Sequence, residues 1–155
     1  MATLTRRLEI SITDEAVMVD GVDATTAIRS PEVNQAVSIV AANPAVRTEL
    51  VARQRAWVGG LGGGVMEGRD IGSVVFPDAP VKVYLDARPE VRAARRSKEV
   101  GGADVEAIAA DLARRDTIDS TRATSPLTEA DGAVVIDTSD LTIEQVVDAV
   151  VALMP

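Results

Sequence analysis

The sequence has 155 residues, of which 46% are hydrophobic, a net charge of −8, and neither cysteine nor histidine. The missing residue types exclude disulfides, the usual zinc sites and imidazole catalysis, and the acidic balance argues against a nucleic-acid polymer as partner. No apolar run approaches the ~20 residues of a membrane span, so we expect no membrane partner either. The first ten residues carry no apolar block of the kind that a signal peptide needs.

The first third of the chain predicts a β-hairpin followed by two helices. Residues 8–12 alternate apolar and polar side chains like a half-buried strand, and residues 16–19 follow as a second strand. Ser30 and Asn43 are each followed by proline, which combines a helix N-cap with the residue that best suits the first helical position. We expect the second helix to run to about Val58.

The glycine-rich segment GGLGGG at residues 59–64 is predicted to be a flexible connector. A phosphate-binding loop follows a strand, opens a helix, and carries Lys-Ser or Lys-Thr after its last glycine. Here the glycines follow a predicted helix, and no lysine is near. The segment therefore lacks the features of a phosphate loop.

The next stretch places charged residues at a predicted strand end. Residues 65–66 form a short apolar run, Gly68, Arg69 and Asp70 follow it, and residues 81–85 predict a second strand. Ligand sites of open α/β sheets lie at the carboxyl ends of strands. A solvated arginine–aspartate pair explains the same residues equally well, so the pattern alone leaves both interpretations open.

Two helices rich in arginine are predicted to follow. The first begins at Pro89 and carries Arg92, Arg95 and Arg96 on one side, because these residues are three and four positions apart. Two glycines end this helix, and Asp104 caps the next one.

The end of the second of these helices carries a further charged group. Arg115, Asp119 and Arg122 lie on one helical side if the helix continues that far. The competing interpretation is a cluster of salt bridges that satisfies itself at a helix end.

The last part of the chain completes the pattern of an α/β fold. Residues 133–137 predict a buried strand, and Thr142 with Gln145 forms a capping box that opens a final amphipathic helix. Strand, helices, strand and helix in this order favour a parallel sheet with helical crossovers.

The chain closely resembles bacterial cytidylate kinases in four segments, several of them long: GRDIGSVVFPDAPVKVYLDA, VRAARR, RRDTIDSTRATSPL and AVVIDTSDLTIEQVV. IRSPEV and AVSIVAANPAVR extend the resemblance upstream, to nearly the whole chain. It implies part of a P-loop nucleoside monophosphate kinase. Residues 1–64 would be the CMP-binding insertion, and residues 65–155 the remainder of the kinase core, with lid helices around 89–116.

The resemblance implies a cytoplasmic phosphotransferase of pyrimidine nucleotide metabolism, which moves the terminal phosphoryl group of ATP to CMP or dCMP and uses magnesium together with ATP. The residues for cytosine would be Ser38, Arg47 and Asp70. Those for the ribose would be Arg115 and Asp119. The clamps on the CMP phosphate would be Arg69 and Arg122, and the lid would contact the ATP phosphates through Arg95, Arg92 and Arg96. The catalytic residues among these would be Arg69, Arg122 and Arg95, and none of the site residues would be a metal ligand.

The sequence departs from this family in one large respect, since it contains no GxxxxGK[ST] segment. That loop wraps the donor phosphates in backbone amides and holds magnesium through a hydroxyl. Three interpretations are open: the larger C-terminal part of a cytidylate kinase, a non-catalytic CMP-binding remnant with a regulatory role, or one half of a split kinase. An exposed sheet edge would then serve for self-association or for pairing with a P-loop chain. We expect no CMP phosphorylation from these residues alone.

Overall fold

A computed structural model describes residues 2–13 and 15–154, without the side chain of residue 2. The chain folds as two compact units, Met1–Val65 with Arg122–Thr124, and Met66–Thr121 with Ser125–Pro155. The functional roles expected of residues 1–64 and 65–155 stay predictions. None of the helices in the described part of the chain is long and apolar enough to cross a membrane.

Among its described residues, the first unit contains a small antiparallel sheet, three α-helices and a short 3-10 helix (Ala27–Arg29). The strands and α-helices are α1 (Ala2–Arg7), β1 (Ile10–Ile12), β2 (Val17–Val19), β3 (Val22–Asp23), α2 (Pro31–Ala41) and α3 (Pro44–Leu61). Strand β2 pairs in antiparallel fashion with both β1 and β3, which confirms the predicted hairpin. The sequence patterns did not predict α1 or β3, because both are too short to show a periodicity.

Both predicted helix starts of the first unit are confirmed. Ser30 Oγ accepts a hydrogen bond from the Val33 amide at 3.3 Å, and Asn43 Oδ1 accepts from two amides of the first turn of α3. Arg53 of α3 donates to the carbonyl oxygens of Thr5 and Leu8 at 2.8 Å. This positive group stabilises the carboxyl end of α1.

The glycine connector begins later than predicted. Helix α3 continues through Gly59 and Gly60 to Leu61, and it ends at Gly62, where φ is 74°. Glycine inside a helix costs roughly 1 kcal/mol relative to alanine, which weakens the helix without forbidding it. The prediction of a connector over residues 59–61 is therefore wrong, and the chain turns only where a left-handed residue is required.

The second unit contains a parallel pair of strands with helical connections. Its elements are one turn of π-helix (Ile71–Val75), β4 (Val83–Asp86), α4 (Pro89–Glu99), α5 (Val105–Thr121), β5 (Val134–Asp137) and α6 (Ile143–Val151). Strand β4 pairs in parallel with β5, while α4 packs against α5. The α/β fold with a parallel sheet and helical crossovers is thus confirmed.

The predicted strand at residues 65–66 is wrong. These residues form no strand, Val65 is 84% exposed, and the parallel sheet within the described residues contains only β4 and β5. A strand needs a hydrogen-bonded neighbour, which an apolar pair of residues cannot specify. The chain instead enters the π-helical turn, where the Phe76 amide donates to the Ile71 carbonyl oxygen at 2.7 Å.

Strand β5 forms as predicted but is not buried. Val134 and Val135 are 44% and 50% exposed, because the strand has one neighbour in this sheet. Its carboxyl end leads to Thr142, which accepts from the Gln145 amide in the predicted capping box at the start of α6.

Candidate functional site

Four charged side chains meet in the second unit: Arg69, Arg92, Asp116 and Asp119. We call them the arginine–aspartate cluster. Arg69 Nη1 lies 2.9 Å from Asp116 Oδ1, and Arg69 Nε lies 3.4 Å from Asp119 Oδ2. Arg92 Nη1 donates to the other oxygen of Asp116, Oδ2. Each carboxylate oxygen of Asp116 therefore pairs with a different guanidinium. Oδ2 accepts a hydrogen bond from Arg92, whereas Oδ1 forms an ion pair with Arg69 that lacks hydrogen-bond geometry.

Three separate segments bring the cluster together. Arg69 precedes the π-helical turn, and Arg92 lies in the first half of α4. Asp116 and Asp119 are three residues apart on α5, so both carboxylates point from one side of that helix. Because α4 packs against α5, Arg92 reaches Asp116 from the neighbouring helix.

The cluster is buried at one end and open at the other. The side chain of Asp119 is 6% exposed and that of Asp116 is 23% exposed, whereas those of Arg69 and Arg92 are 39% and 35% exposed. The two carboxylates thus lie deeper in the protein than the guanidiniums with which they pair. The more accessible groups of the cluster are the cations.

The arginines keep hydrogen-bond donors beyond those that their ion pairs use. A guanidinium has five N–H donors in a planar fork, and Arg92 donates to Asp116 through Nη1. Its Nε is buried and has no hydrogen-bond partner among the described residues, as is also true of Arg115 Nε. A planar guanidinium binds phosphate or carboxylate oxygens through paired donors, so the cluster is suited to an anionic ligand.

The three arginines of α4 contact three different places. Arg92 pairs with α5, Arg96 pairs with Glu99 of its own helix at 2.9 Å, and Arg95 binds Thr138 after β5. Their spacing places them on neighbouring positions of the helix, but their guanidiniums bind separate partners. The described structure does not gather them into one group.

Arg95 belongs to a network at the carboxyl ends of both parallel strands. Its Nη1 lies 3.0 Å from Thr138 Oγ1, and its Nη2 lies 2.6 Å from the Thr138 carbonyl oxygen. Thr138 is 6% exposed, and its hydroxyl donates to the carbonyl oxygen of Asp86 at 2.9 Å. One threonine thus connects β4, β5 and α4.

An exposed ion pair reinforces the same end of the sheet. Arg88 donates to both carboxylate oxygens of Asp140, at 2.8 and 3.0 Å. These hydrogen bonds, together with the opposite charge, lower the pKa of Asp140 and raise the pKa of Arg88. The side chain of Arg88 makes no cap hydrogen bond to α4 in the described structure, which agrees with its being an unusual residue for that position.

The remaining predicted site residues are largely buried. Ser38 of α2 and Arg47 of α3 lie in the first unit, with exposures of 5% and 9%. Asp70 of the second unit is 5% exposed. Arg122 follows α5 and is half-buried, and Arg47, Asp70 and Arg122 all make interactions in the folded chain.

Asp116 belongs to the arginine–aspartate cluster, although the sequence patterns do not single it out. It stands next to Arg115, and the only local signal for it is its three-residue spacing from Asp119. Its partners are distant in sequence, since Arg69 and Arg92 lie 47 and 24 residues before it. The competing interpretation, a self-satisfied cluster of Arg115, Asp119 and Arg122 at the helix end, stays a prediction. Asp119 also pairs with Arg69, which lies in a distant segment of the chain.

The described residues do not supply a magnesium site of their own. None of the groups of three or more Asp, Glu, His or Cys side chains among them is arranged to hold a metal ion. The two carboxylates of the cluster already pair with arginines. We therefore derive no catalytic step through a metal bound by these residues.

A family model and several known proteins match this chain over most of its length. A family model described as cytidylate kinase matches residues 1–155. A cytidylate kinase of Streptomyces griseus is 51% identical over 149 residues, which cover 94% of this chain and 64% of the relative. One of Corynebacterium glutamicum is 49% identical over 155 residues, covering 95% and 67%.

A bifunctional pantoate ligase/cytidylate kinase of a Synechococcus species is also similar, with 50% identity over 140 residues that cover 87% of this chain and 28% of the relative. The chain spans 64% and 60% of the lengths of the two Streptomyces relatives that it matches.

Proposed function

The chain belongs to the cytidylate kinase family, and we propose that it carries most of the acceptor site of an ATP-dependent CMP and dCMP kinase. In this reaction an oxygen of the CMP phosphate attacks the terminal phosphorus of ATP. The bond from that phosphorus to the bridging oxygen breaks, and the products are CDP and ADP. Such a transfer depends mainly on positioning and on neutralising phosphate charge.

The observation that supports this function most directly is the arginine–aspartate cluster. It presents two guanidiniums whose carboxylate partners lie deeper in the protein. We assign Arg69 and Arg122 to the CMP phosphate, and Arg92, Arg95 and Arg96 to the phosphates of ATP. Magnesium would arrive with ATP and neutralise part of its phosphate charge.

The remaining roles concern the nucleoside. We assign Arg115 and Asp119 to the ribose, and Ser38, Arg47 and Asp70 to cytosine. The base offers an amino donor, a carbonyl oxygen and a ring nitrogen. A carboxylate matches the first of these, and arginine or hydroxyl donors match the other two.

Calorimetric titration of the full-length protein with CMP tests the assignment. We expect CMP binding, and we expect Arg47→Ala and Asp70→Ala to weaken it at least tenfold, since each removes a charge-assisted hydrogen bond of about 1.5–3 kcal/mol. Arg114→Ala is the matched control, because Arg114 pairs with Asp111 on an exposed part of α5. Wild-type protein that binds no CMP would contradict the proposal.

The alternative is a protein that binds CMP without phosphorylating it, or one half of a split kinase. The specific observation behind it is that these 155 residues contain no GxxxxGK[ST] segment. A coupled assay for ADP, run with CMP and magnesium-ATP, separates the cases. Turnover by the full-length protein supports the kinase, and CMP binding without turnover supports the alternative. Turnover by the 155 residues alone would contradict our expectation that they need a donor loop from elsewhere.

A further inference from the structure

We propose that Asp116 is the positioning residue that holds Arg69 and Arg92 in one arrangement, so that the phosphate-binding guanidinium of Arg69 is fixed before a nucleotide arrives. This inference rests on the proposed function and adds to it a residue that contacts no substrate. It starts from the bridge in which Oδ1 of Asp116 faces Arg69 and Oδ2 faces Arg92.

The bridge leaves the guanidiniums able to bind a further anion. Arg69 uses Nη1 and Nε for Asp116 and Asp119, and Arg92 uses Nη1 for Asp116. Since each guanidinium has five donors, both arginines keep N–H groups that these contacts do not occupy. A phosphate can therefore bind to these N–H groups while Asp116 stays in place. Asp116 then acts as a positioning residue and does not compete with the phosphate for the guanidiniums.

The charge balance within the cluster supports the same conclusion. The cluster contains two cations and two carboxylates, so its own net charge contributes little to attracting the ligand. The fixed arrangement of its donors in the free protein then contributes to the affinity. Arginine side chains lose roughly 2 kcal/mol of rotamer entropy when they are fixed, and a carboxylate that fixes them in the free protein removes this cost from binding.

The two carboxylates of the cluster differ in the arginines that they contact. Asp119 supports Arg69 from the buried end, with 6% exposure. Asp116 is the member that connects α4 to Arg69, because it binds both arginines. Loss of its charge would leave Arg69 with one carboxylate and would release Arg92.

The test compares CMP with cytidine, which lacks the phosphate, in titrations of the full-length protein. We expect Asp116→Asn to reduce the ratio of CMP affinity to cytidine affinity by about tenfold, because binding then has to supply most of the roughly 2 kcal/mol of arginine rotamer entropy that Asp116 otherwise removes from its cost. Cytidine affinity itself should change less than threefold. Asp111→Asn is the matched control, since Asp111 lies on the same helix, pairs with Arg114, and should leave the ratio unchanged.

A purely structural role of Asp116 would weaken CMP and cytidine binding alike, and this result would overturn the inference. Asp116→Glu keeps the charge and moves it by one methylene, so it should reduce the ratio by a smaller factor than Asp116→Asn. If Asp116→Asn does not fold, Asp116→Glu decides, and an unchanged ratio in that variant overturns the inference. Wild-type protein that binds no CMP would contradict the proposed function as well, whereas CMP binding with an unchanged ratio would contradict only the role of Asp116.

Discussion

Replacing Thr138 with valine should disconnect Arg95 from the carboxyl ends of β4 and β5. Valine has nearly the shape of threonine, so the substitution removes a hydroxyl with little change in packing. That hydroxyl accepts from Arg95 Nη1 at 3.0 Å and donates to the Asp86 carbonyl oxygen at 2.9 Å. Two backbone contacts remain, from the Thr138 amide to Asp86 and from Arg95 Nη2 to the Thr138 carbonyl.

The expected cost follows from these two lost hydrogen bonds. A bond to a charged donor contributes about 1.5–3 kcal/mol, and one between neutral groups about 0.5–1.5 kcal/mol. Arg95 is exposed and can be hydrated, so the lower ends apply. We expect the free energy of unfolding to fall by about 2 kcal/mol, which for a domain of this size lowers Tm by about 4–8 °C.

A double-mutant cycle measures how much of the lost stability comes from the hydrogen bond between Thr138 and Arg95. Thr138→Val, Arg95→Met and the double variant should be compared with the wild type by urea unfolding. Because the Arg95 bond is absent in the Arg95→Met background, Thr138→Val should cost about 1.5 kcal/mol less there. An equal cost of Thr138→Val in both backgrounds would refute the view that Thr138 holds Arg95.

Three further predictions concern a substrate contact, a helix cap and a surface ion pair. Arg69→Ala should weaken CMP binding by about tenfold or more and leave cytidine binding nearly unchanged in the same titration, and an equal loss for both ligands would contradict its assignment to the phosphate. Thr142→Ala removes the cap of α6 and should lower the free energy of unfolding in urea by about 1 kcal/mol. Thr142→Ser is the control and should retain most of the wild-type stability. Equal stability of Thr142→Ala and wild type would contradict the capping role. Hydrogen bonds from Arg88 and its positive charge lower the pKa of Asp140 from its ordinary value. This exposed pair therefore stabilises the fold above about pH 4 and loses its effect as the pH falls through the folded-state pKa. Asp140→Asn should therefore flatten the acid side of the stability curve, with a smaller difference from wild type at high salt, and an unchanged curve would contradict the pair's contribution.

The sequence predicted most successfully the features that depend on neighbouring residues. Ser30, Asn43 and Thr142 were recognised as helix caps because each satisfies amides within three residues of itself. The parallel pairing of β4 with β5 was also correct, since the order of strands and helices constrains it. These features require no knowledge of distant contacts.

The errors involve features that depend on a distant neighbour. Residues 65–66 have the composition of a strand, but composition does not supply a hydrogen-bonded partner. The exposure of Val134 and Val135 likewise depends on what lies beside and above the sheet. For the candidate site, the roles of the individual arginines in binding nucleotide stay predictions.

Asp116 and Arg95 show why residue type and spacing leave the site incomplete. Helical spacing places Arg92 and Arg95 on nearby positions of α4, yet Arg92 binds a carboxylate of α5 and Arg95 binds a threonine after β5. An arginine side chain is long and flexible, so the tertiary position of α4 decides which partner each arginine contacts. The residue that positions an arginine therefore emerges only with the tertiary structure, and substitutions at Asp116 and Thr138 examine that positioning without removing any guanidinium.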